Sequence, residues 1–180
     1  LFLPGVSITR VRSQGGIDPY WGDQQTISVM FSDPLWASDT RFVKIWGRTK
    51  WLRTYASKHR LIFRAEQGAL LWGNLSEIPA SQRFFTGGDQ TVRGFGYESI
   101  SPLDSSGKLS GALNVSAGSL EYNYQVAPKW RIATFVDAGT ATNDYTDPWK
   151  IGTGIGGRWL TPVGQLRFDL AFGVSEQQVP

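Results

Sequence analysis

Apolar and polar residues alternate with a period of two along most of this chain, and no stretch keeps the helical period. In 119–126, Leu120, Tyr122, Tyr124 and Val126 alternate with Ser119, Glu121, Asn123 and Gln125. In 130–137, Trp130, Ile132, Thr134 and Val136 alternate with Arg131, Ala133, Phe135 and Asp137. Leu166, Phe168, Leu170 and Phe172 do the same against Arg167, Asp169 and Ala171, as do Leu61, Phe63 and Ala65 against Arg64 and Glu66. Further strands are expected at about 3–12, 25–32, 41–51 and 150–160. Gly15 with Gly16, Asp33 with Pro34, Asp147 with Pro148, and the triplets at 127–129 and 162–164 supply turns between them. The pattern predicts about eight strands, no helix and an all-β fold.

Two all-β architectures carry this alternation. A soluble sandwich puts the apolar face inside, whereas an outer-membrane barrel turns it to lipid and lines its lumen with the polar face. Three features favour an antiparallel transmembrane β-barrel. The strands approach the ten residues needed to cross a bilayer at a tilt. Their polar faces carry mid-strand charges: Arg64, Glu66, Glu121, Asp137, Arg158, Arg167 and Asp169. Trp51, Trp72, Tyr122, Tyr124, Trp130, Trp149 and Trp159 fall near strand ends, as interfacial aromatics do. The connections at 127–129 and 161–164 are short, while 73–110 and 140–149 are long, matching the unequal ends of such barrels.

The long segment contains TGGDQTVRGFGYES at 86–99. Gly87, Gly88, Gly94 and Gly96 permit positive φ and close backbone approach, so the tip can be compact. The tip motif is Val92, Arg93, Gly94 and Phe95. Arg93 offers a planar fork of donors suited to carboxylates. Folded into a lumen, it would meet Glu121 and Asp137 on adjacent polar faces, with Phe95 and Tyr97 packed beside it. Left outside, it would be a solvated arginine on a mobile loop. The pattern alone supports both placements.

Composition narrows the chemistry. The 180 residues are 41% hydrophobic and include eight Trp, which excludes a disordered chain. A net charge of +3, with basic residues spread singly, gives no nucleic-acid footprint. The absence of Cys excludes thiol catalysis and cysteine metal sites, and His59 is the sole imidazole. No apolar run reaches the roughly 18 residues of a membrane helix. No metal, cofactor or catalytic site is expected. Residues 152–157 satisfy G-x-G-x-x-G, but the pattern after them is strand and turn rather than helix, so small residues that let a loop approach the wall are the better reading. Ser57, His59 and Glu66 lack a nucleophile elbow, and His59 reads as a strand-end residue. Glu66, Glu121, Asp137 and Asp169 need no paired-carboxylate chemistry if Arg64, Arg158 and Arg167 balance them in a lumen.

The segment RFFTGGDQTVRGFGYESISP at 83–102 resembles the signature loop of the BamA/TamA family of outer-membrane assembly factors. GSLEYNYQV at 118–126, FVDAGTA at 135–141, GTGIGGRWLTPVGQLRFDLA at 152–171, SDPLWASDTRF at 32–42 and WLRTYASKHRLIFRAEQG at 51–68 are similar to its TamA branch. The resemblance implies a sixteen-stranded barrel of which about eight strands are present. Residues 1–180 would then be a carboxy-terminal portion, without POTRA domains, the first barrel strands, or the last strand beyond Gln178, Val179 and Pro180. It implies that Arg93 enters the lumen and contacts Glu121 and Asp137, with Phe135 and Gly139 of the Phe-x-Asp-x-Gly strand in support. It further implies a non-enzymatic factor that helps nascent outer-membrane proteins, autotransporters among them, into the bilayer, beside a TamB-like inner-membrane-anchored partner. Two other functions fit the pattern: a two-partner secretion transporter or passive pore, and a soluble carbohydrate-binding β-sandwich.

Overall fold

A computed structural model describes residues 2–36, 38–144 and 147–175. Eight strands form one antiparallel sheet in chain order: β1 (Gly5–Gln14), β2 (Trp21–Ser32), β3 (Phe42–Tyr55), β4 (His59–Leu71), β5 (Asn114–Ala127), β6 (Trp130–Thr142), β7 (Lys150–Thr161) and β8 (Gly164–Gly173). Three-residue 3-10 turns at Pro34–Trp36 and Ala80–Gln82 are the helical pieces among the described residues. Every predicted strand is present, and several run longer than the alternation indicated. β5 and β6 extend together because Asn114, Val115 and Ser116 pair with Thr142, Ala141 and Thr140. Small side chains there hide the period-two signal without weakening the ladder. The expected 140–149 loop therefore shrinks to 143–149, and the Gln178, Val179 and Pro180 terminus lies outside the described residues.

Burial runs opposite to that of a soluble domain. Leu120, Ile132, Val136, Ile155, Phe168 and Leu170 lie exposed on the outer face, while Arg131, Asp137, Glu121 and Arg158 are buried on the inner one. A sandwich would place Leu166, Phe168 and Leu170 between two sheets; these residues are exposed on a single sheet, and that alternative falls. In a bilayer the same face sits in hydrocarbon, and between neighbouring strands the backbone polar groups are satisfied by the ladders, β1 and β8 being the two edges of the sheet.

The connections divide by end. Residues 15–20, 56–58, 128–129 and 162–163 are short turns at one end; the longer connections from β2 to β3, β4 to β5 and β6 to β7 leave from the other. Aromatics mark the short-turn end of the outer face. Trp130 and Trp159 stack at 5.5 Å, and His59 opens β4 with Nδ1 2.7 Å from the Tyr122 hydroxyl. The 72–113 segment folds back along the inner face. Antiparallel bridges join Phe84 to Ala112, Thr86 to Ile100 and Leu103 to Leu109. Its root packs Ile78, Phe84 and Ala112 against Phe42, Leu70, Val115 and Ala141, an apolar core at the long-loop end.

Candidate functional site

The loop delivers Arg93 to the inner wall, 3% exposed, against β5, β6 and β8. Arg93 Nε donates to Asp137 Oδ2 at 2.7 Å, Nη2 to Asp137 Oδ1 at 2.9 Å, and Nη1 to Glu121 Oε2 at 2.8 Å. The Arg93 backbone N–H also donates to Asp137 Oδ2 at 3.1 Å. Asp137 thus grips both the fork and the main chain of the tip. The guanidinium lies over the Phe135 ring, 3.3 Å from its centroid, which closes one flat face to water. Alternation explains the convergence. Ser119 pairs with Asp137, and Glu121 with Phe135, so all four point inward from neighbouring strands.

Val92 is fully buried and Phe95 nearly so, and with Ile100 they form a small apolar cluster. A Cβ on Gly139 would lie 2.7 Å from Val92 Cγ2, so the glycine makes room for that side chain. Gly87, Gly88 and Gly94 adopt positive φ; Gly96 does not, and a Cβ there would meet only Ser99 at ordinary contact. Gly94 is the demanding position. With φ +92° it faces the backbone of Phe172 across 2.5 Å from where a Cβ would stand. Tyr97 departs from the expected packing. It is 79% exposed, because the turn closed by Ser99 N–H to the Gly96 carbonyl carries the chain away from the arginine.

The site is larger than the sequence reading. Asp169 of β8 is a third carboxylate, 3.3 Å from Arg93 Nη1. Arg158 of β7 ties Asp169 to Glu121, with Nη1 to Asp169 Oδ1 at 2.5 Å and Nε to Glu121 Oε1 at 3.1 Å. Its Nη2 lies 3.0 Å from Glu121 Oε1 without hydrogen-bonding geometry, so that contact is purely electrostatic. Arg167 Nη2 reaches Glu121 and Asp169 at 3.4 and 3.5 Å, and Arg64 Nη2 stands 3.9 Å from Asp137. Both Arg158 and Asp169 were legible as lumen charges. Their joining to Arg93 depends on β7 and β8 curling beneath the loop, which no local pattern reports.

Gly152, Gly154 and Gly156 form the inward row of β7 under this cluster. A Cβ on Gly152 would overlap the Arg93 carbonyl oxygen, and one on Gly156 would overlap the Asp169 carboxylate. The glycine run is a seat for the loop and its ion pairs. At the opposite end, Asp18 of the first turn accepts from Arg60 Nη2 at 2.8 Å and from Arg131 Nη2 at 2.7 Å. Burial alone would raise the Asp18 pKa, but the hydrogen bonds from Arg131 and Arg60 outweigh it and hold the carboxyl below its usual value of 3.8.

The Omp85 superfamily domain matches residues 3–179 of this chain. Outer membrane protein assembly factor BamA of Nitratidesulfovibrio vulgaris is 33% identical over 129 residues, covering 67% of this chain and 16% of that protein. The crystal structure of BamA from Haemophilus ducreyi lacking POTRA domains 1–3 aligns with a TM-score of 0.76 at 21% identity, over 96% of this chain and 39% of the other. The chain therefore spans well under half the length of either relative, and the structural likeness is one of fold, part of an antiparallel barrel.

Proposed function

This chain belongs to the Omp85 superfamily, outer-membrane proteins of Gram-negative bacteria, and we propose that it forms the plugged wall of an outer-membrane protein assembly factor that works without catalytic chemistry. The observation that carries this reading is the loop tip held inside the wall, where Arg93 meets Asp137, Glu121 and Asp169. A passive pore gains nothing from filling its lumen with a loop pinned by buried ion pairs. An assembly factor gains a rigid wall on one side while clients engage elsewhere, where unpaired strand edges template an incoming strand. The Val92, Arg93, Gly94 and Phe95 tip braces that wall and limits leakage, Gly87 and Gly88 shape the approach, and Glu121 and Asp137 are its anchors. The segment 1–180 is the carboxy-terminal part of the barrel.

The finer reading, a TamA-type factor serving autotransporters with a TamB-like inner-membrane-anchored partner, rests on the motif resemblance along 32–68 and 118–171. The test is depletion of the protein in cells. Loss of heat-modifiable, folded outer-membrane proteins is expected, restored by the wild type and not by Arg93→Ala. Normal client folding on depletion, together with a large conductance unaffected by removing the loop tip, would establish the pore instead. If only autotransporters fail and a TamB-like protein co-purifies, the finer reading holds; if all barrels fail, it does not.

A further inference from the structure

On β1–β3 the apolar outer wall gives way to charge near the short-turn end. Outward positions in register run Gln14, Trp21, Arg53, then Arg12, Asp23, Trp51, then Arg10, Gln25, Thr49. Towards the long-loop end the same strands return to Ile8, Ile27 and Gly47. At the short-turn end of β6–β8 the outer face carries Ile132, Gly157 and Phe168 instead. The charge is therefore a local feature of one side of the barrel.

The cluster is built. Arg12 forks onto Asp23 through Nε at 3.1 Å and Nη2 at 3.0 Å. The Trp21 ring lies between two cations, 5.4 Å from Arg12 and 4.6 Å from Arg53, and Arg53 is also 5.1 Å from the Trp51 ring. Arg53 Nη1 is held by the Gly22 and Leu52 carbonyls, each at 2.7 Å. The Arg10 side chain makes no hydrogen bond or ion pair among the described residues and is drawn to Asp23 only at longer range. Three guanidiniums thus face one carboxylate, and donors of Arg10, Arg12 and Arg53 remain unmatched on a wall that faces lipid. Arg10 stands four residues from the end of β1. That is about 10 Å into the membrane at about 3.3 Å per residue and a tilt of about 40°. An arginine stem spans much of that distance back to the headgroups, where Trp rings also settle.

We propose that Arg10, Arg12 and Arg53, flanked by Trp21 and Trp51, bind the phosphate of an anionic phospholipid at the short-turn interface. The proposal rests on the outer-membrane placement of the chain and not on the assembly reading. Charge complementarity selects the ligand: a net cationic patch at headgroup depth, with forked donors fitted to phosphate oxygens. A lipid held there would anchor this side of the wall.

The test uses the full protein carrying this chain, reconstituted in bilayers, with tryptophan quenching by brominated phosphatidylglycerol compared against brominated phosphatidylcholine. One arginine beside an anionic surface changes partitioning roughly fivefold. The wild type is expected to prefer phosphatidylglycerol by at least about that factor. Arg10→Gln, which breaks no side-chain hydrogen bond or ion pair and removes only a longer-range attraction to Asp23, should cut the preference severalfold, and Arg10→Gln with Arg12→Gln and Arg53→Gln should abolish it, with heat-modifiable mobility retained. Equal quenching by both lipids in the wild type, or an undiminished preference in Arg10→Gln, overturns the proposal. A preference erased by inorganic phosphate but not by chloride of equal ionic strength assigns the site to soluble phosphate and overturns the lipid. A photo-crosslinker at position 10 that captures a protein in cells overturns it as well. Absence of quenching by either lipid removes the membrane placement, and the proposal with it.

Discussion

At the scale of single residues, the partners of Arg93 are unequal. Glu121 keeps Arg158 and Arg167 when Arg93 is lost, whereas Asp137, fully buried, keeps the backbone N–H of residue 93 at 3.1 Å and, as its one remaining cation among the described residues, Arg64 at 3.9 Å. Arg93→Ala should therefore act mainly by stranding Asp137, at a cost on the order of 3–5 kcal/mol, the range for breaking a buried pair. Arg93→Lys should recover little, since one ammonium cannot reproduce the fork and the stack on Phe135. Asp137→Asn added to Arg93→Ala should cost less than the sum of the two single changes, because the stranded charge is gone. Urea unfolding in detergent, read by heat-modifiable mobility, measures all three; strict additivity would show that the pair is not coupled. Parity offered the residues of this contact as candidates, since Glu121 and Asp137 share the polar face of predicted strands and Arg93 is the one cation in the glycine tip, but it left the loop's placement open, and the inward placement came from the family resemblance. Asp169 was visible as a lumen charge but not as a partner, because its approach depends on sheet curvature. Tyr97 was misplaced because composition does not reveal where a tip turns away.

At the scale of elements, β7 shows why a strand can be rich in glycine without being weak. Of its inward glycines, Gly152 meets the loop, Gly154 the Phe135 ring and Gly156 the Asp169 carboxylate, while its outward Thr153, Ile155 and Trp159 face lipid. Gly157, on the outer side, has open space where a Cβ would stand, while a Cβ on Gly152 would overlap the Arg93 carbonyl. Gly152→Ala should then displace the loop tip, costing about 1–3 kcal/mol as overpacking does. Gly157→Ala should be close to neutral. Limited proteolysis within 86–100 separates the two: faster cleavage in Gly152→Ala with wild-type resistance in Gly157→Ala is expected, and equal resistance would unseat the glycine row as the loop's seat. The sequence showed the strands, the turns and the asymmetry of loop lengths because each is local. It did not show the loop's own antiparallel bridges, where single pairs such as Thr86 with Ile100 leave no periodic trace.

At the scale of the whole molecule, contacts between distant elements hold the curl of the sheet at both ends. Arg93 binds the long-loop side to β5, β6 and β8, and Asp18 binds the first turn to β4 and β6 across 42 and 113 residues of sequence. The second clasp is acid-sensitive, and its sign follows from the direction of the shift. The Asp18 carboxyl is held below its usual 3.8, so its stabilisation is fully present above about pH 4 and is lost as pH falls through the lower folded value. Its partial exposure to water makes the effect modest. Hydrogen exchange of residues 15–20 in the detergent-solubilised protein should stay slow from neutral pH down to about 4, then accelerate with further acid after correction for intrinsic exchange. Asp18→Asn should exchange fast throughout, because the neutral amide cannot hold Arg60 and Arg131 together. The lumen cluster at Arg93 should remain closed in that variant, since the two clasps share no residue. A simultaneous release of both ends would mean that the wall opens as one cooperative unit, with the first turn and the loop tip bracing the same strands.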